Sequence, residues 1–191
     1  MAAKTKSQLA DKFSGPSSLL YQSAVLKITS GADGTKTFTA SPELDVPCKV
    51  DSLNFEQGEA EVEEYKVIGL SGAWITDSEP GDIDLGFRVP SISEDILKLA
   101  FGEDAVSSIT GKVDDVDYEG LALILKNKKV QGTWMIVNSA KDRIMVINNT
   151  ALFASLVLDS DAKGVIAVDF NGSIETDGTN PDVIFLKKKS A

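Results

Sequence analysis

The chain has 191 residues, 42% of them hydrophobic, which is enough to bury one ordinary core and excludes wholesale disorder. Histidine is absent, which excludes His-based catalytic triads and His-ligated metal sites. The single cysteine, Cys48, cannot form an internal disulfide.

The net charge of -10 is unevenly distributed along the chain. Residues 43–119 hold twenty of the 29 acidic residues and only five of the 19 basic ones. Only Arg88 and Arg143 supply arginine, the side chain that nucleic-acid readers favour, so we expect the chain to repel nucleic acid. The acids could form a solvated surface, meet basic patches between copies, or line a surface that DNA passes without binding.

Residues 1–18 are polar and lysine-containing, which predicts a flexible N-terminal arm with Leu9 and Phe13 as anchors. Neither a signal-peptide core nor a membrane-spanning stretch is visible, so we expect a soluble protein without membrane association, made in the cytoplasm. Residues 19–188 are predicted to form a single β-sandwich domain, followed by a tail at 189–191.

The first predicted strands are short and separated by turn residues. Leu19–Ile28 is strand-like, and Asp33–Gly34 predicts a tight turn into Lys36–Thr39. Val50–Phe55 predicts another short strand.

Two features in the middle of the chain are better defined. The apolar positions of the predicted strand 59–68 change phase near Glu63–Glu64, which predicts a β-bulge there. Ile83–Val89 alternates strictly between apolar residues and acidic, glycine or arginine residues, which indicates a half-buried strand.

One short helix is predicted at about residues 91–101. Ser91 and Glu94 have the spacing of a capping box, and Gly102 is typical of a helix terminator.

The last third is predicted to be β. Asn148–Asn149 predicts a turn between two strands, whereas Asn171–Gly172 lies inside a strand that keeps its phase. The predicted strands are Leu121–Leu125, Gly132–Val137, Arg143–Ile147, Leu152–Leu158, Val165–Glu175 and Val183–Leu186.

Several of these strands are apolar on both faces, as at Trp134 and Met135 or at Leu121–Leu125. A small sheet with one solvated face should alternate, so such strands need a second cover: another sheet, the helix, or another copy. The pattern predicts a mainly β protein, a β-sandwich or open barrel of antiparallel strands with one short helix, that uses part of this surface in self-association.

No motif for a cofactor or for catalysis stands out. Asp115-x-Asp117-x-Glu119 and Asp159-x-Asp161 resemble half of a calcium loop but lack the bidentate acid that completes one, so both predict hairpin turns. Cys48 has no histidine to activate it and is interpreted as a small buried or loop residue. We therefore expect a non-enzymatic protein without a metal site.

The order of these features resembles the major tail tube proteins of long-tailed bacteriophages and prophages, over roughly residues 45–188. Their fold is shared with the inner tubes of contractile tails and of type VI secretion. The resemblance is carried by Pro80–Pro90, the helix Ser91–Leu99, Gly132–Ile136, Val168–Ile174 and Asp182–Leu186.

The resemblance implies a structural subunit of the virion tail, assembled in the host cytoplasm. Six copies would form a ring, and rings would stack into a hollow tube around a tape measure protein, ending at a tail terminator protein. DNA would pass through the tube without specific binding, which an acidic lumen favours.

On this reading, two groups of residues become candidate sites. The candidate lumen-facing acids are Glu59, Glu61, Glu63, Glu64, Asp114, Asp115 and Asp117. The candidate inter-subunit contacts are Leu9, Phe13, Phe38, Phe55 and Trp74. The alternative is a monomeric immunoglobulin-like β-sandwich that serves in binding, adhesion or virion decoration.

Overall fold

Antiparallel strands make up most of the fold in a computed structural model that describes residues 13, 15–66, 68, 71, 73–79, 81–159 and 164–189. The helix α1 spans Glu94–Phe101, and single 3-10 turns lie at Val50–Ser52 and Glu103–Ala105. The strands are β1 (Pro16–Gln22), β2 (Thr29–Ser30), β3 (Lys36–Thr37), β4 (Leu44–Val46), β5 (Asn54–Gln57), β6 (Glu61–Lys66), β7 (Ala73–Glu79), β8 (Ile83–Val89), β9 (Val106–Val113), β10 (Val116–Leu123), β11 (Lys129–Asn138), β12 (Arg143–Asp159), β13 (Val165–Ile174) and β14 (Val183–Lys187).

The largest sheet curls into a half-barrel with the strand order β4-β1-β11-β12-β13-β8-β5. On one side of β12, β14 pairs with its first part and β13 with its second part. The pairs β2–β3, β6–β7 and β9–β10 form separate two-stranded sheets. The predicted fold class, a mainly β protein that forms a β-sandwich or open barrel with one short helix, is confirmed.

The helix α1 is three residues shorter at its start than predicted. Its N-cap is Ser93 rather than Ser91, and Glu94 forms an ion pair with Lys98, 2.7 Å away, instead of a capping box. Gly102 ends the helix with a φ of 109° and donates its N–H to the carbonyl of Lys98, as the sequence predicted.

The main core lies between the helix and one face of the half-barrel. Its centre is an aromatic cluster in which Trp134 lies 4.7 Å from both Tyr21 and Phe87, measured between ring centroids, and Phe87 lies 5.1 Å from Phe170. The apolar side of α1 packs against this same core through Ile96, Leu97, Leu99, Ala100 and Phe101.

A second, smaller cluster covers the opposite face of the same strands. Met135 and Val146 pack there with Leu26, against which Phe38 and Ala40 also lie. The chain between β1 and β4 thus supplies the second cover that the two-sided strand β11 requires. No other copy is needed at this place.

The longest strand, β12, contradicts one prediction. Asn148–Asn149 does not form a turn, because β12 continues through both residues as a bulge in which they face the single residue Thr133. Asn149 adopts a positive φ of 50°, which asparagine tolerates. The buried Asn148 side chain accepts hydrogen bonds from the N–H of Leu26 and the hydroxyl of Thr133, and so ties the second cover to the sheet.

Several predicted strand limits were also wrong. β1 begins at Pro16, inside the predicted arm, and ends at Gln22 because the chain then leaves the sheet to cover its second face. Val50–Ser52 is a 3-10 turn, so the following strand starts at Asn54. The register from Glu61 to Tyr65 is continuous, and the irregularity lies between Tyr65 and Lys66, not at Glu63–Glu64.

The buried phenol of Tyr21 makes the stability of the folded chain decrease at alkaline pH. Burial, with a smaller contribution from the charge of Glu43, raises the pKa of Tyr21 from 10.0 to about 12. The hydroxyl donates to the carbonyl of Gln131 over 2.8 Å. Because the unfolded chain loses this proton first, the stabilisation is complete below pH 10 and is lost as the pH rises towards about 12.

We therefore expect the stability difference between the wild-type chain and Tyr21→Phe to be largest at pH 8 and to narrow by pH 11. Urea unfolding at the two pH values measures it. An equal difference at both would show that Tyr21 does not carry this dependence.

Candidate self-assembly surfaces

The β9–β10 hairpin is amphipathic but has no cover within the described chain. Every residue from Ser107 to Leu121 is exposed. In an antiparallel pair, directly opposed residues share a face. One face therefore holds the pairs Val113/Val116, Gly111/Tyr118 and Ile109/Gly120, and the other holds Lys112/Asp117, Thr110/Glu119 and Ser108/Leu121.

The first of these faces, here called the apolar ribbon face, presents four large side chains to solvent. Hydrophobic side chains are usually exposed singly, whereas an aligned row of them indicates an interaction site. Their exposed fractions are 54% for Ile109, 62% for Val113, 52% for Val116 and 56% for Tyr118.

The hairpin ends in a two-residue turn at Asp114–Asp115. Both residues have positive φ, 50° and 61°, as a type I′ turn requires, and aspartate tolerates this conformation. The prediction of a hairpin turn from this acidic stretch is confirmed, although the turn precedes Asp117 and Glu119, which belong to β10. The first strand, β9, is not among the strands that the sequence predicted.

Two strand glycines on the apolar ribbon face have no role inside the subunit. Neither Gly111 nor Gly120 has a positive φ, and a Cβ added to either would meet no atom of the described residues within 4 Å. Glycine weakens a strand and often marks the close approach of another backbone or a ligand.

A second candidate surface, formed by β12 and β14, is basic and partly apolar, in contrast to the acidic hairpin. Arg143 of β12 pairs in register with Lys187 of β14, and the N–H of Lys188 bonds the carbonyl of Asp142. This brings together the residues here called the basic end: Lys141, Arg143, Lys187, Lys188 and Lys189.

Phe185 lies beside the basic end with 71% of its side chain exposed. In the register of β12 and β14 it shares a face with Arg143 and Lys187. A groove of about 180 Å³ runs here between Phe13, Arg143, Ile144, Phe185 and Leu186. An exposed aromatic ring in a basic setting can receive an apolar, acidic partner.

The half-barrel also leaves strand edges open. Within the part of the chain that the structure describes, no strand pairs with the outer edge of β5, β4 or β14. The end of β8, by contrast, is covered by the loop before β5. The N–H of Arg88 donates to the hydroxyl of Ser52, and the carbonyl of Arg88 accepts the N–H of Lys49, both at 2.9 Å. Open edges are templates for pairing with another chain.

The far end of the β12–β13 hairpin is a second projecting ribbon. β11 pairs with β12 only as far as Phe153, and β8 pairs with β13 only from Val168 onwards. Beyond these points the core face continues through Leu156, Leu158 and Ile166, all exposed. This apolar surface extends past the region that the helix and its neighbours cover.

The candidate lumen acids lie on two separate hairpins. Glu59 precedes β6, which carries Glu61, Glu63 and Glu64, and the last two side chains are exposed. Asp114 and Asp115 form the tip of the β9–β10 hairpin, and Asp117 lies on its polar face, 3.7 Å from Lys112. The two hairpins do not pair with each other, and a common lumen remains a prediction.

The candidate inter-subunit residues occupy different environments. Leu9 lies outside the described residues, and Phe13 lines the groove beside the basic end. Phe38 packs on the second cluster and Phe55 on the main core of the same subunit. Trp74 belongs to β7. Their contact with a neighbouring copy stays a prediction.

Cys48 is a half-buried loop residue, as the sequence predicted. Its Sγ lies 3.5 Å from the carbonyl of Lys49, and burial raises the pKa of its thiol. A raised pKa makes the thiolate scarce at neutral pH, so this thiol is a weak nucleophile.

The described helix is too short to cross a membrane. Among the described residues, no group of three histidine, cysteine, aspartate or glutamate side chains could hold a metal ion. No protein-family model matches the chain, and a search of the curated proteins finds no match either.

Proposed function

We propose that the protein is a structural subunit that assembles into rings, and that the rings stack into a hollow phage tail tube through which DNA passes. The observation that carries this proposal is the open half-barrel, whose edge strands and projecting ribbons lack partners in the described chain. The edge strands of such a sheet can pair with the edge strands of neighbouring copies, and a ring of copies then leaves no strand edge exposed.

The exposed apolar surfaces support the same proposal. The second cover of β11 and β12 is supplied by the subunit itself, so their two-sided apolar pattern no longer argues for self-association. The apolar ribbon face and the β12–β13 ribbon still do, because their large apolar side chains remain exposed. A tube subunit has at least two neighbour contacts, within the ring and between rings, and needs more than one such surface.

The charge distribution suits a conduit for DNA. Glu63 and Glu64 of β6 and the acids of the β9–β10 hairpin are exposed, and the chain is acidic overall. A duplex carries about one negative charge per 1.7 Å, so an acidic wall keeps it from binding. In this role the acids need no specific geometry, only exposure to the channel.

Purified protein is expected to polymerise into tubes with a central channel as its concentration rises, and to do so in a salt-dependent way because charged surfaces meet. Light scattering after size-exclusion chromatography detects the assembly, and negative-stain electron microscopy shows its shape. A single monomeric species at all concentrations and salts would contradict the proposal and favour a monomeric binding or decoration module.

A further inference from the structure

We propose that the apolar ribbon face of the β9–β10 hairpin docks on a second copy of this chain, at the basic end around Phe185. This inference rests on the self-assembly proposed above and names the two surfaces that meet. It concerns one contact between two copies of the chain.

The hairpin needs an external partner for its own order. An isolated two-stranded ribbon is marginally stable in water, and no part of the described chain forms a layer beneath this one from Ser107 to Leu121. Its large apolar side chains other than Leu121 lie on one face, with Val113 and Val116 nearest the tip, so a single partner surface can cover them together.

The glycines indicate how close that partner comes. Gly111 lies opposite Tyr118, and Gly120 lies opposite Ile109, so each cross-strand pair combines one large side chain with none. The result is a face with two shallow depressions that no residue in the described part of the chain fills. An aromatic ring such as that of Phe185 can enter a depression of this kind.

Charge complementarity selects the basic end as the receiving surface. Residues 107–121 of the hairpin carry a net charge of -3, with Asp114 and Asp115 at the tip next to the apolar ribbon face and Asp117 and Glu119 on the opposite face, whereas the basic end holds five cations around the single acid Asp142. Two hairpins packed on each other would instead bring together two elements of like net charge, which is unfavourable. Exposed aromatic and apolar groups on the apolar ribbon face and at the basic end supply the attraction, and the opposite charges determine which surface the hairpin binds.

The contact would be heterologous, because the two surfaces are different parts of the same chain. Each copy then offers one hairpin and one basic end, so association continues from copy to copy until a ring closes or a stack extends. This is the kind of contact that a tube requires.

Crosslinking tests the contact directly. In a Cys48→Ser background, the double variant Tyr118→Cys/Phe185→Cys is expected to give a ladder of oligomers with a short bifunctional thiol reagent. Each single variant is expected to give no ladder. Dimers from Tyr118→Cys alone would mean that hairpins pair with each other and would overturn the proposal.

The glycines provide a second test with a matched control. Gly120→Val should leave the monomer folded, since its side chain enters open space, yet raise the protein concentration needed for assembly by about tenfold or more, equivalent to about 1.4 kcal/mol of lost contact. Thr110→Val, on the polar face of the same hairpin, should leave that concentration unchanged. Equal effects of the two variants would overturn the proposal.

The two proposals fail differently. Tubes that form without a crosslinked ladder, and that tolerate Gly120→Val, would overturn this contact and leave the tube function standing. A wild-type chain that never assembles would overturn both.

Discussion

Trp134→Ala is expected to destabilise the folded chain by about 3–5 kcal/mol, a large part of the 5–15 kcal/mol typical of a domain. Trp134 is fully buried and lies at the centre of the aromatic cluster, 4.7 Å from Tyr21 and Phe87 and 6.1 Å from Phe170 between ring centroids. Removing the indole leaves a cavity between three rings on three different strands. Guanidinium unfolding followed by circular dichroism measures the change.

Trp134→Phe is the control for this prediction. The indole N–H is buried without a hydrogen-bond partner among the described residues, so phenylalanine sacrifices no hydrogen bond and keeps most of the ring contacts. We expect it to cost clearly less than alanine. Equal costs for the two variants would mean that ring packing is not what Trp134 contributes.

The elements that could be predicted from the sequence are those whose pattern is local. Ile83–Val89 was predicted with the bounds that β8 has, because one of its faces is buried and the other is not. The apolar side of α1 and its C-terminal end at Gly102 could also be predicted, since a helix end depends on neighbouring residues. The interior position of Gly172 in β13 followed from the apolar phase on both sides of it.

What the sequence could not indicate depends on partners distant in the chain. Asn148–Asn149 has the residue types of a turn, and only its pairing with Thr133 and its contact with Leu26 make it a bulge. The cover that Leu26 and Phe38 provide has no periodicity of its own.

The candidate site divides in the same way. A hairpin turn could be predicted at the acidic stretch Asp115-x-Asp117-x-Glu119, because turn residues act locally, although the turn itself lies at Asp114–Asp115. The strand before it could not, because Ser107, Ser108 and Gly111 dilute its apolar alternation. Only the register of β9 with β10 shows that Ile109, Val113, Val116 and Tyr118 share a face.

The apolar residues of the fold therefore fall into two sets, one buried within the subunit and one exposed to solvent. The apolar residues of β11, and those of β12 as far as Leu152, are covered within the subunit, by α1 on one face and by Leu26 on the other. The apolar ribbon face is not satisfied there. Mutations of the first set should change stability, and mutations of the second should change assembly.

A glycine in the large sheet and a glycine in the exposed hairpin can be used to separate effects on stability from effects on assembly. Gly172 of β13 lies between Leu152 of β12 and Leu85 of β8, in the interior of the large sheet. An added Cβ would lie 2.1 Å from the carbonyl oxygen of Ala151 and 2.9 Å from the Cα of Leu152. Both are backbone atoms held by hydrogen-bonded ladders, so neither can move away cheaply.

Gly172→Ala is therefore expected to destabilise the chain by about 3 kcal/mol or more, at the upper end of overpacking effects. Gly120→Ala adds the same methyl group to an exposed strand where it meets nothing, so stability should stay unchanged or rise by up to about 1 kcal/mol. Urea unfolding of the two alanine variants beside the wild-type chain measures both. Similar stabilities for the two would mean that β12 and β13 do not approach as closely as the register at Gly172 requires.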